Sequence, residues 1–143
     1  MRKRDAKVRR LRSLASFAHL SDDDLVEIAS SADLVAMRAG DVVHPQGAPN
    51  NDALLIVDGT AVLGTDALLG RGEWFGAVAL LDGDTEDAEL RMLTDGVLLV
   101  FGRREFAGSI VRIPAFWAAL AKDLSQELRR QHDRDHAGTH GHR

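Results

Sequence analysis

Ala53-Leu54-Leu55-Ile56-Val57-Asp58-Gly59-Thr60-Ala61-Val62-Leu63-Gly64 is the stretch that decides the fold. Two apolar runs, Ala53–Val57 and Thr60–Gly64, flank an Asp-Gly pair, and the second run ends on another glycine. Short runs rich in Leu, Val and Ile between glycines read as strands joined by turns. The pattern continues in both directions. Leu34–Met37 and Asp41–His44 precede it, and Glu89–Leu93 and Val97–Phe101 follow, with glycines punctuating the whole region from Gly40 to Gly102. Strands of this length and spacing predict a sandwich, barrel or roll. One interruption matters: Ala77-Val78-Ala79-Leu80-Leu81 lacks strand alternation and consists of good helix formers, which predicts a single helical turn.

Helices are expected on both sides of this β region. Val8, Leu11, Leu14 and Phe17 or Ala18 recur at helical spacing, predicting a helix over residues 5–18. Ser21 followed by Asp22, Asp23 and Asp24 is a capping signature, since serine accepts a free N–H and acidic groups suit the positive helix end. A second helix should run from Asp22 to Ala32. After the last strand, Arg103–Ser109 reads as a short helix, and Pro114 suits the first position of a long one reaching Arg134. Phe116, Trp117, Leu120, Leu124 and Leu128 form an apolar stripe along it, either packed back on the strands or free to meet a second copy or a partner. The organisation is then a basic helical arm (1–20), a β domain with its last helix (21–134), and a His-rich tail (135–143) expected to be mobile.

Composition narrows the function classes. The 143 residues suffice for one buried core, with 45% hydrophobic and 28% charged residues, as in a globular protein. Without cysteine there is no disulfide, thiolate chemistry or Cys-based zinc site. No apolar run approaches the length that spans a bilayer, and no secretory signal follows the basic N-terminus, so a cytoplasmic protein without a transmembrane segment is expected. The net charge of −4 hides an asymmetry: residues 1–12 carry +6 and the rest −10. Such an arm suits an acidic partner, RNA or anionic lipid, or a contact with the chain's own acidic body. No Gly-x-Ser-x-Gly elbow, P-loop or His-Glu-x-x-His motif is present, so no catalytic residue is assigned and no enzyme is expected. His132, His136 and His140 are spaced for a metal on a continuous helix, but the neighbouring glycines favour a polar tail. Neither a metal nor a cofactor is expected. His19 and His44 read as surface or loop residues.

Four motifs in order resemble the cyclic-nucleotide-binding domain family. They are the opening hairpin Ala39-Gly40-Asp41-Val42-Val43-His44-Pro45-Gln46-Gly47, the strand Leu54-Leu55-Ile56-Val57-Asp58-Gly59, the stretch Gly72-Glu73-Trp74-Phe75-Gly76-Ala77-Val78-Ala79-Leu80-Leu81, and Phe101-Gly102-Arg103-Arg104-Glu105-Phe106. The third looks like the family's phosphate-binding cassette. The resemblance covers about residues 14–132. It implies a mainly β fold, an eight-stranded roll of the double-stranded β-helix or jelly-roll kind, with N-terminal helices and a long C-terminal helix.

A cyclic nucleotide presents a phosphate, which wants backbone N–H groups and a guanidinium, and a ribose hydroxyl, which wants a carboxylate. In the family pattern the carboxylate follows the Phe-Gly pair and the arginine lies nine residues further on. Those positions are Ala77 and Glu86 here. Leu80-Leu81, Gly83, Ala88 and Leu90 hold the register, and Arg91 falls on the opposite strand face. Asp82, Asp84, Glu86, Asp87 and Glu89 make the segment acidic, with no basic residue between Arg71 and Arg91. The degenerate pocket expected from this comprises Gly76, Ala77, Val78, Glu86, Asp87 and Ala88, retaining only a turn glycine and two backbone donors. Members of the family that regulate genes carry a helix-turn-helix after the long helix. None fits here, so DNA binding by that route is not expected. The expectation is a stand-alone adaptor that has lost nucleotide binding and acts through protein contacts. The alternatives are a sensor with a non-standard pocket and the regulatory subunit of a catalytic partner.

Overall fold

The computed structural model describes the backbone of residues 3–83 and 88–140 and the side chains of residues 5–81, 83 and 88–129. Eight strands are present among them: β1 (Ala32–Met37), β2 (Val42–His44), β3 (Asp52–Asp58), β4 (Ala61–Leu63), β5 (Ala67–Leu69), β6 (Trp74–Phe75), β7 (Leu90–Met92) and β8 (Gly96–Gly102). They form two four-stranded sheets, ordered β1-β8-β3-β6 and β2-β7-β4-β5. Every pairing is antiparallel. This is the expected β-roll. The chain crosses from the first sheet to the second at the Asp58-Gly59 corner, where Gly59 has φ +91° and a Cβ would lie 2.5 Å from the Asp95 carbonyl oxygen. Only glycine turns there.

Between the sheets lies an aliphatic core of Leu54, Ile56, Phe75 and Leu98 from one side and Ala61, Leu63, Leu69, Leu90 and Met92 from the other. Alternate residues of the first sheet, Ala53, Leu55, Val57, Trp74, Leu99 and Phe101, point the opposite way into a second core shared with the helices. Both faces of β3 are therefore covered, which is why its five central residues are all buried and its sequence is one continuous apolar run. The second sheet has its outer face in water, so β7 alternates, with Leu90 and Met92 buried and Arg91 exposed.

The five helices are α1 (Lys3–Arg12), α2 (Asp22–Ser30), α3 (Ala77–Asp82), α4 (Arg103–Arg112) and α5 (Pro114–His140). Ser21 caps α2 as expected, its Oγ accepting the Asp24 N–H at 3.1 Å. Several boundaries differ from the sequence reading. The first helix stops at Arg12, and a separate 3-10 turn spans Ala15–Phe17. Ser13 Oγ donates to the Arg10 carbonyl at 2.6 Å, and the break lets Leu11, Leu14 and Phe17 all reach the core. Helix α2 ends at Ser30 because Ala32 already pairs with Phe101 in the sheet. Helix α5 runs past Arg134 and through Gly138, since an interior glycine costs only about 1 kcal/mol relative to alanine. Strands β5 and β6 had no counterpart in the reading of the residues. His44 is no surface residue: it is buried at the end of β2, its ring centroid 5.0 Å from that of Phe75.

Candidate functional site

The cassette sits where β6 turns into α3. Gly76 caps the helix at φ +83°, and a Cβ on it would lie 2.8 Å from the Asp52 carbonyl oxygen. Glycine is thus required both for the left-handed turn and for the close approach of β3. The first bond within α3 runs from the Leu80 N–H to the Gly76 carbonyl at 3.0 Å. Earlier N–H groups of a helix need acceptors from outside it. For Val78 that acceptor is the carboxylate of Glu127, which stands on α5 with Oε2 2.9 Å from the amide nitrogen. Glu127 is only 1% exposed, so this bond is shielded from water.

One turn earlier on α5, Asp123 is also buried and accepts from Ser16 Oγ at 2.7 Å and from Trp74 Nε1 at 3.2 Å. Burial pushes its carboxyl above the ordinary range, opposed by these two hydrogen bonds and by the nearby Lys122 charge. The two carboxylates tie α5 to the 3-10 turn, to β6 and to α3. Neither stood out in the sequence, although both fall at helical spacing from Leu120, inside the stripe that reads as apolar. Carboxylates interrupting a buried stripe were the available signal.

Of the expected pocket residues, Gly76, Ala77 and Val78 come together at the first turn of α3. Ala77 is fully buried, a methyl group in the helix-side core beside Trp74. Ala88 is half-buried and packs against the aliphatic core between the sheets. Glu86 and Asp87 lie outside the described residues. Arg91 faces away from the buried Leu90 and Met92, as strand alternation required, and pairs with Glu89 at 3.1 Å.

The structure divides the expected interface stripe in two. Phe116 and Leu120 are fully buried on the roll, and Leu124 is nearly so at 7% exposure. Phe116 is a hub, its ring centroid within 6.4 Å of those of Phe17, Trp74, Phe101 and Phe106. Trp117 and Leu128 remain 48% and 49% exposed, beside Leu81 at 41%. Together with Val78, Ala121, Leu124 and Ser125 these three line an apolar groove of about 270 Å³ along the α3–α5 seam.

The basic arm lies against the body. Lys7 Nζ donates to the Ala32 carbonyl at 2.8 Å, Arg12 pairs with Asp22, and Arg71 donates to the Ser13 carbonyl at 2.8 Å. Among the described residues, no group of three His, Asp or Glu side chains is placed to hold a metal ion, and no helix is long and apolar enough to cross a membrane. The side chains of His132, His136, His140 and His142 lie outside the described residues.

Comparison with known proteins bears on this geometry. No curated protein sequence matches the chain. Among solved structures, the regulatory subunit of a cAMP-independent protein kinase A from Trypanosoma brucei superposes with a TM-score of 0.74 at 18% identity, over 93% of this chain and 49% of that one. The catabolite activator protein of Thermus thermophilus gives 0.69 at 25% identity, over 87% of this chain and 62% of that one. The N-terminal domain of a transcriptional regulator from Streptomyces coelicolor A3(2) gives 0.64 at 25% identity, over 87% and 94%. The profile of the cyclic nucleotide-binding domain matches residues 34–111. Because that span is more than half of the chain and runs from β1 through the cassette into α4, the chain belongs to the cyclic nucleotide-binding domain family.

Proposed function

We propose that this domain regulates through protein contacts and does not take up cyclic AMP or cyclic GMP with useful affinity. The observation that carries the reading is the first turn of α3: Ala77 offers no acceptor for a ribose hydroxyl, and the Val78 N–H is already bonded to Glu127. The sequence register adds Glu86 where the family pattern has arginine. Loss of a buried charged partner costs about 2–5 kcal/mol, roughly thirtyfold to a few thousandfold in affinity at 1.4 kcal/mol per tenfold. A cAMP-independent relative of the same fold supports the reading by analogy. A triple variant of that subunit, one of whose changes introduces an arginine, is known bound to cAMP. Binding domains of this family act by regulation, which supports a regulatory reading.

A sensor of some other small polar molecule is the second reading. It is favoured by His44 and Asn50, whose Nε2 and side-chain amide are buried without a hydrogen-bond partner among the described residues. Calorimetry with both nucleotides to millimolar concentration tests the first reading, alongside an Ala77→Glu, Glu86→Arg double variant. No heat is expected from the natural protein, and weak binding from the variant. Micromolar binding by the natural protein would overturn the adaptor reading in favour of a sensor.

A further inference from the structure

Helix α5 is attached to the roll in two different ways along its length. Its first turns are held by apolar burial, with Phe116 and Leu120 fully enclosed. Its next turns are held by two buried carboxylates, Asp123 on Ser16 and Trp74, and Glu127 on the Val78 amide. Acids one helical turn apart repel each other weakly even in water. Removing ionised groups from water is costly, and well-packed apolar residues in their place are often as stabilising or more so. A helix selected only for permanent attachment would continue the Phe116–Leu120 stripe. This one continues it to Leu124 but adds a polar anchor on each side of that residue, where it crosses the cassette.

We propose that Glu127 is a built-in substitute for a ligand: a carboxylate supplied by the chain holds the cassette turn and straps the middle of α5 over it. The strap is releasable, because its strength resides in a directional bond that is lost once broken, whereas the apolar anchor at Phe116 survives small displacements. Letting go at Glu127 leaves Phe116, Leu120, Asp123 and Leu124 in place and frees residues 125–129 together with the first turn of α3. The groove bounded by Val78, Leu81, Leu124 and Leu128 lies on this same seam, so the strap also sets its width. The proposal deepens the functional reading above and rests on it for one statement only, that no nucleotide is needed to close α5.

Hydrogen–deuterium exchange on the whole chain without nucleotide tests it, comparing the natural protein with Glu127→Ala, Glu127→Gln and Glu127→Leu. Glu127→Ala is expected to speed exchange at least tenfold in residues 77–81 and 125–129 and to leave β3 and β8 unchanged. Glu127→Gln keeps an acceptor oxygen and should fall between Glu127→Ala and the natural protein. Glu127→Leu refills the volume but leaves the buried Val78 N–H without its acceptor, so it should also speed exchange in the same two segments, by less than Glu127→Ala. Unchanged exchange in these segments in Glu127→Ala overturns the proposal. So does faster exchange throughout β3 and β8 in the milder Glu127→Gln, which would make the residue a general structural support. Calorimetry separates the two ideas. A natural protein that binds cyclic AMP yet shows this order of variants loses the functional reading and keeps the strap. One that binds neither nucleotide and ignores Glu127→Ala keeps the reading and loses the strap.

Discussion

The two faces of the β1-β8-β3-β6 sheet bury different kinds of residue. Towards the second sheet the core is nearly all aliphatic, with Leu54, Ile56, Leu63, Leu69, Leu90 and Leu98 around a single phenylalanine. Towards the helices it is aromatic, built on Phe17, Trp74, Phe101, Phe106 and Phe116, and two carboxylates are buried at its margin. The same strands feed both, one residue in each direction. The aliphatic face closes the roll, and any sequence of suitable volume and alternation does this. The aromatic face positions helices against a cassette, where ring packing and directional bonds to Asp123 and Glu127 determine the register of α5. Closing the roll and positioning the cassette are thus separable here, because they are written on opposite sides of one sheet.

If the two cores share their strands, they should also share one unfolding transition. Phe116→Ala removes the aromatic hub and is expected to cost about 3–5 kcal/mol, and Ile56→Ala about 2–5 kcal/mol in the aliphatic core. Urea denaturation followed by far-ultraviolet circular dichroism and by tryptophan fluorescence should give coincident curves for each variant. Strands that persist after the helices melt in Phe116→Ala would break the comparison and make the aromatic core a separate unit.

Asp123 sharpens it further through pH. Burial raises its carboxyl pKa in the folded protein above the ordinary value of 3.8, so folding binds the proton more tightly than the unfolded chain does. Its ionised form therefore opposes folding near neutral pH, and this opposition is relieved as pH falls through the folded pKa towards 3.8. Asp123→Asn can offer its amide oxygen to Trp74 and donate its NH2 to Ser16 Oγ, without the charge. The variant should be at least as stable as the natural protein near neutral pH, with an advantage that shrinks in acid. Denaturant midpoints at both pH values decide it, and a less stable variant at neutral pH would show that the charge itself is a net attraction.

The smallest stability effect belongs to the exposed side of α5. Trp117→Glu should change stability by no more than about 0.5 kcal/mol. If the proposed protein contacts include self-association through the Trp117–Leu128 face, the same variant should shift the sedimentation of the protein towards the monomer. An unaltered sedimentation profile would take self-association through this face away and leave a different partner.

Much of the fold was legible because its signals are local. The Asp58-Gly59 corner, the Ser21 cap, the helical turn at Ala77 and the Pro114 start each depend on a few neighbouring residues. Strands β5 and β6 were not, since runs of three and two residues carry no periodicity and exist through pairing with β4 and β3. The same division runs through the site. Sequence alone determined that position 77 is an alanine following a turn glycine and that position 86 is acidic, the two observations on which the proposed loss of nucleotide binding rests. It also placed five apolar residues along α5, but periodicity shows only that they share a stripe. The tertiary structure decided that Phe116, Leu120 and Leu124 belong to the core while Trp117 and Leu128 do not. Only the folded chain could bring Glu127 to Val78, because that bond joins residues 49 positions apart and follows from how α5 packs, not from any spacing a sequence displays.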